Sequence, residues 1–300
     1  MGEWFSSWWV SMWRLLLVGA LCFAEEYTVE SQGFAWTVHA WAPKNAGAPV
    51  VFVFHGAGGG GKIYLERNGW LDAAKAHGFA VIAPDGLPAR PRIEAGFLTN
   101  PRLWNGGNLN AASPRARIDD AQFFDALLDD AAWRFQIDRK RVFVTGHSNG
   151  AALSFLLAAK RQAKIAAIAP VASLPYVDAV KLAMPTLWII GKKDPLVPYD
   201  GGESALPWGK RTTPPVEPAL FKWAKANGCD AESDRTSKDG IERRRYCEVF
   251  EAVIIDDQGH GWPGGTAAGL RPNLIGPATK KYDATREIWN FFSRAAAKPR

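Results

Sequence analysis

The segment Gly146-His147-Ser148-Asn149-Gly150 has the residue types and spacing of a nucleophile elbow. A β-branched apolar run at residues 141–145 precedes it, and a helix-compatible stretch at 151–160 follows. In the order strand, G-x-S-x-G, helix, the serine sits on a sharp, strained turn with its hydroxyl exposed. The flanking glycines allow the tight turn and keep side chains away from that hydroxyl. A serine hydroxyl is a weak nucleophile until a base takes its proton, and the usual base is a histidine oriented by a carboxylate. With the chain order Ser, acid, His, Ser148 pairs with His260, the one histidine of five that follows it.

His260 lies in Gly259-His260-Gly261-Trp262-Pro263-Gly264-Gly265, which reads as a mobile loop after a core strand. The acid should leave the strand between Ser148 and His260. Residues 186–190 form that strand and run into Gly191-Lys192-Lys193-Asp194-Pro195, so Asp194 is the first candidate and Asp200 the second. Asp256 and Asp257 are too close to His260 in sequence. Acyl transfer also needs donors for the developing oxyanion. One is the backbone N–H of Asn149. The other belongs to the glycine-rich segment 55–61, where Ala57 is assigned and Gly58 is the alternative. His55 and His147 read as residues that orient loops by hydrogen bonding. Trp104 and Trp262 are either core residues or a substrate platform, and the nearness of Trp262 to His260 favours the platform.

The same glycine segment fits G-x-x-x-x-G-K through Gly56, Gly61 and Lys62. A phosphate loop needs Ser or Thr next to hold magnesium, and the chain has Ile63 there. No nucleotide partner is expected.

These residues need a scaffold. Alternation over 35–41 reads as an early strand, and 49–54 and 79–83 as buried strands. Helices are expected at 70–77, 118–133, 151–160, 218–227 and 284–296, and further strands at 165–169, 186–190 and 249–255. A long polar loop spans 84–117. Strands alternating with helices predict one mostly parallel central sheet with helices on both faces.

The chain has 300 residues, enough for one large α/β domain, and 47% hydrophobic content excludes disorder. The net charge of +6 comes from scattered residues. The densest basic run, Arg243-Arg244-Arg245, is flanked by Glu242 and Glu248 and reads as a solvated face, so no nucleic-acid partner is expected. Arg14 and an apolar run over 15–24 read as a signal peptide ending at Ala24, too short to span a bilayer. A membrane partner follows only if residues 1–24 are retained as an anchor. Otherwise the chain is secreted, extracellular or periplasmic, and residues 25–300 form a single catalytic domain. Cys229 and Cys247 remain after removal of the segment, and an even pair outside the cytosol predicts a disulfide.

Together these pieces resemble the secreted polyhydroxybutyrate depolymerase and feruloyl esterase-like branch of the α/β-hydrolases, over roughly residues 35–295. The matching stretches are 51–59, 104–107, 118–120, 141–150, 191–202, 259–265 and 288–292. The resemblance implies an α/β-hydrolase fold, catalysis by Ser148, Asp194 and His260, no metal or other cofactor, and an ester substrate that is polymeric or aromatic. The chain departs from the family pattern at His147, where members often carry leucine. The stretch 171–184, where lids often lie, is short, so a minimal lid and an open cleft are expected. A serine peptidase of the same fold and a non-catalytic binding protein are the alternative functions.

Overall fold

The computed structural model describes residues 25–178, 184–206, 209–266 and 272–296. The expected signal peptide, residues 1–24, lies outside the described residues. Among the described residues no helix is long and apolar enough to cross a membrane.

The strands are β1 (Glu25–Ser31), β2 (Phe34–Trp41), β3 (Val50–Phe54), β4 (Ala80–Pro84), β5 (Val142–His147), β6 (Ala167–Val171), β7 (Thr186–Gly191), β8 (Gly202–Leu206), β9 (Gly209–Thr213), β10 (Asp234–Lys238), β11 (Ile241–Cys247) and β12 (Phe250–Ile255). The α-helices are α1 (Gly61–Arg67), α2 (Trp70–His77), α3 (Asp120–Phe135), α4 (Asn149–Lys160), α5 (Val216–Ala226), α6 (Pro272–Ile275) and α7 (Ala284–Ala296). One ten-stranded sheet runs β1-β2-β4-β3-β5-β6-β7-β12-β11-β10, and β8 and β9 form a separate hairpin. The six central strands, β4 to β12 in that order, pair in parallel. Antiparallel hairpins complete both edges. The expected sheet is therefore present, with helices on both faces.

Alternation along β3 divides the core. Val50, Phe52 and Phe54 pack with Phe123, Phe124 and Leu127 of α3 and with Leu153 and Phe155 of α4. Val51 and Val53 belong with Leu65 of α1, Trp70 and Ala74 of α2, and Ile288 and Phe292 of α7. Both faces of the central strands are covered, which is why they read as continuous apolar runs rather than alternating ones. Helix α3 starts where Asp119 caps it, accepting the N–H groups of Ala121 and Gln122 at 2.8 and 3.3 Å.

The long loop 85–117 is ordered by a few polar side chains. Arg115, fully buried, ion-pairs with Asp120 and donates through Nε to the carbonyls of Leu87 and Leu103. Asp120 in turn accepts the Asn105 N–H at 2.8 Å. The side chain of Asn100 closes an inner turn, donating to the carbonyls of Ile93 and Glu94 and accepting the Arg90 N–H.

The far edge corrects one expectation. Arg243-Arg244-Arg245 is not a uniformly solvated face. Arg244 is buried and paired with Glu217 and Glu242, and Arg243 reaches Glu251 and Glu287. Alternation along β11 turns every second side chain onto α5 or α7, where acidic partners wait. Cys229 and Cys247 form the expected disulfide, with Cα atoms 5.5 Å apart. It ties the end of α5 to the β11 edge and closes an interval of 18 residues, which in the chain-entropy account stabilises by about 3 kcal/mol.

Candidate active site

The elbow is built by steric exclusion. Ser148 has φ +53° and ψ −115°, a conformation that costs a non-glycine residue about 1–3 kcal/mol. The turn stays in place because α4 crosses close over β3 and β5. A Cβ on Gly146 would lie 2.4 Å from the Gly150 carbonyl, and one on Gly150 would lie 2.2 Å from the Phe54 carbonyl oxygen. Ser148 also donates its N–H to the Val171 carbonyl on β6 at 2.8 Å. The strain is thus held by backbone contacts on both neighbouring strands.

The structure brings the three sequence-predicted residues together. Ser148 Oγ lies 2.7 Å from His260 Nε2, and His260 Nδ1 lies 2.8 Å from Asp194 Oδ2. The carboxylate accepts Nδ1–H, which leaves Nε2 as the acceptor for the serine hydroxyl. The other Asp194 oxygen accepts the N–H groups of Leu196 and Val197, both at 2.8 Å, which fixes the carboxylate's orientation. Asp194 and His260 are both buried, whereas Ser148 is partly open. Asp200 is exposed and stays apart, so the alternative acid is not the one in contact.

The loop bearing His260 is pinned rather than mobile, another correction. Gln258 is buried and donates through Nε2 to the Gly261 carbonyl at 2.7 Å, while its Oε1 accepts the Thr279 N–H at 2.9 Å. The His260 N–H donates to the Ile275 carbonyl. Glycine content suggested freedom, but side-chain hydrogen bonds from a residue outside the motif remove it.

The glycine-rich segment is held on three sides. His55 accepts the Gly86 N–H at 2.8 Å, and its Nδ1 lies 2.7 Å from the Gly56 carbonyl. Gly58 donates its N–H to the Arg102 carbonyl at 2.8 Å, and Gly59 to the Gly56 carbonyl. Among the described residues the N–H groups of Ala57 and Asn149 have no such protein acceptor. Gly61, which opens α1, donates to the Asp85 carboxylate at 2.7 Å. A carboxylate therefore occupies the place a phosphate would need in the rival nucleotide reading. The side chain of Asn149 accepts the Trp104 N–H at 2.6 Å and donates to the Trp104 carbonyl at 2.8 Å, joining the elbow to the long loop.

Neither tryptophan is a platform. Trp104 is fully buried, stacked near Trp36 and edge-on to Phe54, and its indole donates to the His55 carbonyl at 3.0 Å. Trp262 is 6% exposed, packs edge-on against Trp70, and donates to Thr285 Oγ1 at 3.0 Å. Closeness to His260 in sequence misled because the chain turns inward straight after the base.

Sequence reasoning missed Tyr64, Gln258 and the β8–β9 hairpin. The hairpin follows the acid loop and lays the Arg211 guanidinium over the Tyr176 ring at 4.4 Å. Of the expected short lid, residues 179–183 lie outside the described residues. Beside Asn149, Asn108 Oδ1 accepts from the Asn149 amide at 3.3 Å, and the backbone at Gly107 runs close to the Tyr176 carbonyl. Among the described residues no group of three or more His, Cys, Asp or Glu is placed to hold a metal ion.

Burial pushes the imidazoles of His147 and His55 down from 6.5, to about 3 and about 4. For His147 the charge of His260 adds to burial.

A parallel sheet with a strained serine at the end of β5, and a histidine and an aspartate on later loops, defines an α/β-hydrolase. Residues 37–205 match the model of the dienelactone hydrolase family, and the chain belongs to that family. It is similar to NocK of Nocardia uniformis subsp. tsuyamanensis, a protein named as an esterase, at 26% identity over 298 residues, covering 89% of this chain and 81% of that protein. It is similar to feruloyl esterase C of Emericella nidulans at 28% identity over 218 residues, covering 70% of this chain and 68% of that protein. Among solved structures, an acetyl xylan esterase from Aspergillus awamori has a TM-score of 0.54 at 14% identity, covering 75% of this chain and 89% of that one. The chain is a carboxylic ester hydrolase.

Two outcomes follow. Trp262→Phe is expected to lower stability by about 1–2 kcal/mol through the lost indole bond. It should leave the ratio of KM values for a bulky and a small ester unchanged. A selective rise in KM for the bulky ester, with stability intact, would restore the platform.

The second outcome concerns acid. His55 and His147 bind protons more readily in the unfolded chain, so unfolding gains protons as pH falls. Their neutral burial stabilises fully above about pH 6.5 and is lost progressively toward pH 4, at about 2 kcal/mol per histidine by pH 5. Urea melts at pH 7.5 and 5.0 should show that loss, and His55→Gln should reduce the difference. An identical difference in the variant would contradict the assignment.

Proposed function

We propose that this chain is an exported serine esterase that cleaves short-acyl or aromatic-acyl esters from a bulky alcohol through Ser148, His260 and Asp194. The observation that carries this reading is the unbroken hydrogen-bond path from Ser148 Oγ through His260 to Asp194, at a strained elbow.

His260 Nε2 takes the serine proton as Oγ bonds to the ester carbonyl carbon. The oxyanion that forms is met by the N–H groups of Asn149 and Ala57, since Gly58 is already committed to Arg102. His260 then protonates the leaving alcohol, the C–O bond breaks, and an acyl-enzyme remains. Water, deprotonated by the same nitrogen, releases the acid and restores Ser148. Asp194 stabilises the imidazolium in both halves.

Substrate class rests on the wall beside the nucleophile and on the relatives. Asn108 offers an amide and Tyr176 an aromatic ring, which suit a sugar-linked or aromatic ester better than a long alkyl chain. The similarity to a feruloyl esterase and to an acetyl xylan esterase points the same way, toward plant cell-wall esters. Hydroxybutyrate-type polyesters are the second substrate class, on the earlier resemblance. Export is supported by the Cys229–Cys247 disulfide and the composition of residues 1–24.

The test is a panel of feruloyl, acetyl-xylan, hydroxybutyrate-oligomer and long-chain triglyceride esters with purified protein. The first three classes should include the best substrate. Preference for the triglyceride, or cleavage of peptides instead, would overturn the reading. Ser148→Ala and His260→Ala should each reduce kcat by several orders of magnitude with the fold intact, and Asp194→Asn somewhat less. Retention of more than a few per cent of turnover in Ser148→Ala would remove the nucleophile assignment.

A further inference from the structure

Buried His147 and half-buried Tyr64 form a bonded pair that the chemistry above does not use. Tyr64 Oη lies 2.6 Å from His147 Nδ1, and His147 Nε2 lies 2.5 Å from the backbone carbonyl oxygen of His260. A carbonyl only accepts, so Nε2 carries the hydrogen. The neutral ring then has a lone pair on Nδ1, and Tyr64 is the donor. Both ends of the imidazole are thereby assigned, and the chain of bonds runs one way: Tyr64 hydroxyl, His147 ring, His260 carbonyl.

Its location is specific. Tyr64 sits on α1, just after the glycine-rich segment. His147 is the last residue of β5, immediately before Ser148. His260 carries the base. A Cβ at Gly56 would lie 3.0 Å from His147 Nδ1 and 3.1 Å from Tyr64 Oη, so the bonded pair lies directly under the segment that holds Ala57. The rings of His147 and His260 are 5.0 Å apart and tilted by 50°. Burial keeps His147 uncharged, which preserves the assigned hydrogen and adds no positive charge beside His260.

We propose that His147 and Tyr64 are positioning residues for the general base, holding the His260 backbone at the distance from Ser148 that proton transfer requires. This rests on the reading of His260 as the base. Misplacing a catalytic group by about 1 Å can cost about 10²-fold in rate. The family-like leucine at position 147 could fill the space but could not donate to the His260 carbonyl.

The experiment compares His147→Leu, His147→Gln, Tyr64→Phe and the double variant Tyr64→Phe/His147→Leu with wild type, using p-nitrophenyl acetate, with Tm as the check on folding. His147→Leu should lower kcat by about 10²-fold with KM within about threefold. His147→Gln keeps an N–H donor of similar reach and should recover at least about tenfold of that loss. Tyr64→Phe should lower kcat by about fivefold. The double variant should match His147→Leu within about twofold, because the two residues act through one path. Equal kcat in the Leu and Gln variants, or a double variant that loses the product of the single losses, overturns the proposal. If His147→Leu does not fold, Tyr64→Phe and His147→Gln decide it, and wild-type kcat in Tyr64→Phe overturns it. His260→Ala separates the two levels. If it retains turnover, the base assignment itself fails and this proposal falls with it. If it is inactive while the other variants behave as wild type, only this proposal falls.

Discussion

The backbone crossing at Gly146, Ser148 and Gly150 is the constraint on which the site depends. Two glycines let α4 pass within contact of the ends of β3 and β5, and no side chain would fit there. The serine between them is forced to positive φ. That strain is local, and it is offset by the burial of β3, β5 and α4 on both faces of the sheet. Remove the close crossing and the hydroxyl has no defined direction, whatever His260 and Asp194 do.

Around this crossing, polar side chains hold loops that regular structure does not. His55 ties the glycine-rich segment to the loop after β4, Asn149 ties the elbow to Trp104, and Gln258 closes the loop of the base. Each is buried and spends both donor and acceptor capacity on backbone groups, and each accepts an N–H from another segment. Loops at the carboxyl end of a parallel sheet would otherwise be its most adaptable part. Here they are rigid where they touch the triad.

Much of this was legible in the sequence, for physical reasons. The central strands are apolar runs because both faces are buried, and chain order on this topology singles out Ser148, Asp194 and His260, which the fold brings within hydrogen-bond reach of one another. The feruloyl esterase side of the resemblance is met by the relatives. What was not legible depends on contacts between distant segments. β10 is exposed along its whole length, so no apolar alternation marks it. Trp262 looked like a platform because its buried partner, Thr285, lies 23 residues away. The loop of His260 looked mobile because its restraint comes from Gln258 and Thr279, outside the glycine motif. His147 was legible as a loop-orienting residue, but its partners Tyr64 and the His260 carbonyl were not, since they are 83 and 113 residues away.

The most direct measurement of the central claim is acid-quenched mass spectrometry of the protein during turnover of a slowly released aromatic ester. One acyl group per chain is expected, on the peptide carrying Ser148, appearing with the burst of alcohol and decaying at kcat. Full ester turnover with no acyl group on Ser148 at any quench time, or with the acyl group on another residue, would contradict it.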